Sequence, residues 1–238
     1  MASERVAEIL TSVWAGSPDG NALAAGLVHG CAEAIPVSGV GLALMTERGP
    51  AGTVAATDGA ALRLEDLQFT LGEGPCVDAS RSGRPVLQPD LAITAPRLWP
   101  AFASGALAAG VAAVFALPLR VGAIRLGVLD LYRETPGTLT PGQLREALFF
   151  ADAATLLLLH LQSRVPVDRL TASSLALLDD RAEVHQATGV ISVQAGVGLP
   201  EALVLLRARA YADQRPVGDL ARDVLAGTAD FTENPDTG

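Results

Sequence analysis

Lysine is missing from this 238-residue chain, and all seventeen basic residues are arginine. Against 26 acids they leave a formal charge of −9, which excludes broad, charge-driven binding to phosphate backbones. A GC-rich genome, which also favours Ala, Gly and Pro, accounts for the missing lysine as readily as function does. Cysteine is nearly as scarce. Cys31 and Cys76 stand far apart, so there is no disulfide framework, no CxxC zinc spacing and no Cys/His cluster, and no metal ligand is assigned. No basic stretch followed by an apolar one opens the chain, so no secretory signal is read. The longest apolar runs, such as Ala153 to Leu161, fall short of a bilayer span, and the expectation is a cytoplasmic protein without a membrane partner. GxSxG, P-loop and paired-carboxylate signatures are lacking as well. No catalytic residue is assigned, no cofactor is expected, and the chain is not read as an enzyme.

What is present is core-forming material. Half the residues are hydrophobic and 18% are charged, a composition for packed domains and not for global disorder. Residues 1–19 read as a leader with a weak helical pattern through Val6, Ile9, Leu10 and Val13. Asn21 is a candidate cap for a helix to about Ala34, with Leu23, Leu27 and Cys31 at four-residue steps. VSGVGLALMT reads as a strand, Gly49 to Gly52 as a turn and TVAAT as the hairpin partner. A short helix near Ala60 to Leu67 follows. The block LGEGPCVDASRSGRPVLQPDL then combines a Gly/Pro loop, one or two helical turns and a strand at Pro85 to Gln88. The Pro96 to Pro100 segment leads into an alanine-rich helix to about Ala109. Two apolar runs, Val114 to Leu119 and Ile124 to Tyr132, flank a Val-Gly turn as a central hairpin would. This order predicts an α+β domain built on an antiparallel sheet flanked by helices, over residues 20–164.

Pro141 sits in the first turn of a helix in which Leu144, Ala147, Ala151, Ala154, Leu158 and Leu161 make an a/d seam. Burial against the chain's own sheet and a dimer interface explain that seam equally well. Pro166 interrupts the helix, and Asp168 or Thr171 restarts a helical connector through Leu175, Leu178 and Val184. Residues 165–227 read as all-helical, and 228–238 as a disordered tail.

Residues of the first half resemble those of GAF domains, small-molecule-sensing α+β modules. The likeness lies in the LGEGPCVDASRSGRPVLQPDL block and the hairpin VFALPLRVGAIRLGVLDLY with Pro118 and Gly127, over about Asn21 to Leu161. The last sixty or so residues resemble the ANTAR domain, a three-helix RNA-binding module of transcription antiterminators. The matching residues are Arg181, Gln186 to Ile191, Pro200-Glu201-Ala202, Leu206-Arg207, Ala210, Leu220-Ala221 and Val224. Together they are similar to GAF–ANTAR regulators of the actinobacterial type. That family commonly has a lysine where this chain has Thr188.

On a helix from Pro200 to Gln214, Ala202, Leu203, Leu206 and Ala210 share a core face, while Arg207, Tyr211 and Arg215 recur at four-residue steps on another. Two guanidinium groups flanking an aromatic ring suit phosphates and an unpaired base; a solvated face whose arginines pair with acids such as Asp213 is the bland alternative. With the resemblance, Arg181, Thr188, Arg207, Tyr211 and Arg215 become the candidate RNA-binding residues. Gly189, inside the first bundle helix, is ascribed to close helix approach, and Gly196 and Gly198 to its termination. From Leu170 to Ala226, five arginines face seven acids, so recognition would depend on unpaired bases in hairpin loops.

In the sensor half, the pocket-lining residues read as mostly aliphatic, with Cys76, Asp78 and Arg81 as candidate ligand contacts. Cys76 is more readily a buried structural thiol than a redox group. Some free-standing GAF-like proteins reduce methionine sulfoxide with a set of cysteines, which these two widely spaced ones fit poorly. The expected function is a homodimeric, signal-responsive antitermination regulator whose partners are RNA hairpin loops and an unidentified small-molecule ligand or signalling protein. The alternative is a dimeric sensor or scaffold that keeps the ANTAR fold without binding RNA.

Overall fold

A computed structural model describes residues 2–16, 20–46, 49–164, 183–184, 186–213 and 215–232. The chain forms two compact units, Met1–Leu170 and Thr171–Gly238.

The first unit is a five-stranded antiparallel sheet between two helical layers. Its strands are β1 (Gly39–Thr46), β2 (Gly49–Ala56), β3 (Val86–Gln88), β4 (Ala113–Val121) and β5 (Ile124–Arg133), in spatial order β2-β1-β5-β4-β3. Gly49 already pairs with Thr46, so β2 begins where a turn was expected. The β4–β5 hairpin turns at Gly122, whose φ of 60 is readily adopted by glycine.

Strand alternation gives each face its own cover. Leu42, Phe115, Leu117, Leu129 and Leu131 face a core shared with α1 (Ala2–Ala15), α2 (Gly20–Ala34) and α7 (Pro141–Arg164). Val6, Ile9, Leu10 and Val13 are buried in this core, so the weak pattern of the leader is a packed helix face. Asn21 lies within the first turn of α2. The seam of α7 is internal: Ala147, Ala151, Ala154 and Leu158 are buried in the same core, whereas Leu148, Leu156 and Leu159 are exposed.

The opposite face is covered by α3 (Gly59–Leu71), α4 (Pro75–Ser82), α5 (Leu91–Leu98) and α6 (Pro100–Ala108). Asp58 caps α3 by accepting from the Ala61 amide at 2.7 Å, and Gly72, at φ 66, ends it. Asp90 caps α5 in the same way through the Ala92 amide at 3.0 Å. Helix α5, not expected from the sequence, contains Pro96. That proline falls near its C-terminal end, and the chain resumes as α6 after Trp99.

The described part of the second unit consists of α8 (Gln186–Gln194), α9 (Leu199–Ala212) and α10 (Val217–Leu225). Their buried residues are Ala187, Thr188 and Ile191; Ala202, Leu206 and Ala210; and Val217, Leu220, Ala221 and Val224. Gly196, at φ 65, lies in the turn after α8, and Pro200 opens α9 with Glu201 in its first turn. Of the tail 228–238, residues 228–232 are described and the rest lie outside the described residues. Ala229 is buried, Thr228 Oγ1 donates to the Asp223 carbonyl, and the Arg209 guanidinium lies 5.1 Å from the Phe231 ring centre. The connector, Arg181 and His185 lie outside the described residues. No single described helix is long and apolar enough to cross a membrane.

Candidate functional site

In the first unit, the helix-covered face of the sheet carries a buried polar group at its centre. Asp130 points from the middle of β5, where it pairs with Gly41 on one side and Ala116 on the other. Two such small neighbours leave room above the sheet, and the α3 side chains Glu65 and Gln68, three residues apart on its inner face, fill it. Glycine suits position 41, because a Cβ there would run into the buried Glu65 side chain. Gly74 does the same for Gln68, with a virtual Cβ 2.7 Å from Oε1, and its φ of 129 is itself a glycine conformation.

Gln68 ties the group together. Its Nε2 donates to Asp130 Oδ2 at 3.4 Å, and its Oε1 accepts from the Cys76 amide at 2.8 Å. Cys76, at the start of α4, brings its thiol into the same cluster: one donor atom each of Glu65, Cys76 and Asp130 all lie within 4.8 Å of one another. All four side chains are buried. Burial raises the Asp130 carboxyl well above the usual carboxylate range, while Glu65, Gln68 and Cys76, lying against it, hold it down.

Of the three ligand contacts expected here, only Cys76 belongs to this cluster. Asp78 Oδ2 accepts from Trp99 Nε1 at 3.0 Å, and Arg81 is exposed in the last turn of α4. Glu65, Gln68 and Asp130 were missed. The lone acid in the apolar run GVLDLY was the available signal, because a charged residue within a central strand needs a partner. His160 forms an edge-on contact with Trp14, 5.7 Å between ring centres, and His29 is exposed.

In the second unit, Tyr211 is 55% exposed on α9. Arg207, one turn earlier, is half-buried. Arg215 lies beyond the end of α9, and its guanidinium donates to Asp223 Oδ2 at 2.7 Å. Thr188, a candidate RNA contact, lies on α8. It is 5% exposed and its hydroxyl donates to the Val184 carbonyl at 2.6 Å, so it serves the interior of the bundle. Gly189 meets no described atom within 4 Å of a virtual Cβ, so close helix approach does not account for it among the described residues. The remaining arginines are engaged locally: Arg209 Nε stands 3.7 Å from Asp213, and Arg222 bonds Glu183 at 3.1 Å and also Asp219.

A family model described as a GAF domain matches residues 21–158. The chain belongs to the GAF domain family. An ANTAR domain model matches residues 176–225, so the GAF protein also carries an ANTAR domain. Among solved structures, it is similar to the GAF domain of a phosphoenolpyruvate-protein phosphotransferase from Acinetobacter. The likeness is 14% identity and a TM-score of 0.53, covering 69% of this chain and 96% of that one. The GAF domain of the corresponding protein from Coxiella burnetii has 14% identity and a TM-score of 0.51, with 68% and 95% covered. At such identity the likeness is one of fold. No curated protein matches the sequence.

Proposed function

We propose that this GAF protein is a cytoplasmic, homodimeric, signal-responsive regulator that binds RNA hairpins and acts by transcription antitermination, not by catalysis. The observation that carries this reading is the presence of a GAF domain and an ANTAR domain in one chain, an input module followed by an output module. The exposed Tyr211, with Arg207 a turn before it, supports an unpaired base stacking on the α9 surface while a guanidinium engages phosphate. Arg181 and Arg215 are assigned supporting phosphate contacts, the latter after exchange of its partner Asp223. The dimer presents two such surfaces to paired loops and gains by effective concentration. The signal is a small ligand or a partner protein acting on the GAF unit.

A second reading, a scaffold that keeps the ANTAR fold without RNA binding, draws support from the arginines already paired to acids and from a buried Thr188. Replacement of Arg207 and Tyr211 together by alanine separates the two. The regulator loses loop-dependent RNA binding in a gel-shift titration while keeping its helical content. Undiminished binding would remove α9 from the interface.

A further inference from the structure

The cluster of Glu65, Cys76 and Asp130 has the chemistry and the convergence of a metal centre. Its donors come from three different elements, α3, α4 and β5, so backbone packing and not local sequence spacing brings them together. Bond lengths of roughly 2.0–2.3 Å to oxygen and sulfur place tetrahedral ligands roughly 3.3–3.8 Å apart. The three donor atoms here, all within 4.8 Å of one another, need to close by about 1.5 Å at most. Asp130 Oδ1 is fully buried in this group without a hydrogen bond of good geometry, while the Glu65 and Cys76 side chains lie against the carboxyl. Gln68 occupies the position of an outer-shell support, holding Asp130 through Oδ2 and the start of α4 through the Cys76 amide. The two glycines that clear space for Glu65 and Gln68 are the backbone's contribution to the same centre.

We propose that Glu65, Cys76 and Asp130 form a buried site for one borderline-soft divalent transition ion, of the zinc, cobalt or iron(II) class, with a fourth position open to water or a small ligand. One thiolate with two carboxylates disfavours magnesium and calcium, which take oxygen sets of higher coordination number. Two carboxylates and a thiolate bring three negative charges into a buried place, and a divalent cation offsets two of them. The site lies wholly within the GAF unit, so it stands or falls independently of RNA binding by the tail.

Cobalt(II) is the probe, added to reduced, chelator-treated full-length protein and, separately, during refolding, since the donors are buried. The expected result is one equivalent retained, with a sulfur-to-cobalt charge-transfer band that zinc(II) abolishes. Cys76→Ser loses that band, Cys31→Ala keeps it, and the isosteric Glu65→Gln and Asp130→Asn each lower affinity at least tenfold. Gln68→Ala, removing only the support, weakens binding about 10–100-fold. Retention of no cobalt by wild-type protein through either route, or a band unchanged in Cys76→Ser, would overturn the proposal. Should Cys76→Ser fail to fold, the Glu65→Gln and Asp130→Asn affinities decide: unchanged values refute the site.

Discussion

Single residues in this protein earn their identity from very local demands. Gly41 faces Glu65 across a gap that no Cβ can enter, so Gly41→Ala is expected to destabilise the GAF unit by about 1–3 kcal/mol, read as a lower midpoint in denaturant. Gly189 is the contrary case. It sits within α8 with no described neighbour in the way, and Gly189→Ala should raise the stability of the ANTAR unit by about 0.5–1 kcal/mol. A loss of stability there would place an unseen neighbour against the helix. Cys31 is buried in the α2 core, and burial, aided by Glu146, pushes its thiol up to about 12. Its folded value lies above the unfolded one, so the stability it contributes is complete below an unfolded pKa of about 8.5 and is lost as pH rises toward 12. Cys31→Ala is expected to flatten the alkaline decline in stability, measured by denaturant titration between those limits; an unchanged decline would assign it elsewhere.

At the scale of elements, α7 divides its apolar residues between two jobs. The seam Ala147, Ala151, Ala154 and Leu158 is used up inside the subunit, which leaves Leu148, Leu156 and Leu159 on the outer face. A dimer formed through this helix must use that outer face. Leu156→Glu with Leu159→Glu is expected to yield monomers in sedimentation velocity without altering the thermal transition much, whereas a persistent dimer would move the interface away from α7. Hairpins, the proline-led helix starts at Pro141 and Pro200 and the α9 core face were legible because their signals are short-range: alternation, a Pro in a first turn, three- and four-residue steps. What escaped was decided by tertiary placement. Helix α5 went unassigned, and its Pro96 falls near its end, where its cost is small. The tail after Gly227 looked polar, but Phe231 and Ala229 find partners in Arg209 and the bundle interior. Glu65, Gln68 and Asp130 lie up to tens of residues apart, and no periodicity in the chain announces that a sheet centre and a helix face will share one polar group.

The whole molecule joins an acidic chain, whose only cationic residues besides histidine are arginines, to an ANTAR module, and its charge sets the terms of the proposed RNA binding. With a net charge of −9 and several arginines of the tail already paired to acids, non-specific attraction to phosphate is small. The affinity of the proposed regulator for RNA must come from stacked, unpaired bases, so its salt dependence should be shallow and its loop dependence strong. The most direct measurement is a binding titration of the full-length protein against RNA carrying two tandem hairpins with short loops, repeated across a salt series. The proposed regulator binds saturably, loses affinity when the loops are closed into duplex, and shows a shallow salt slope. Weak association that ignores the loops and vanishes with modest salt, from a protein verified as folded and dimeric, would contradict it.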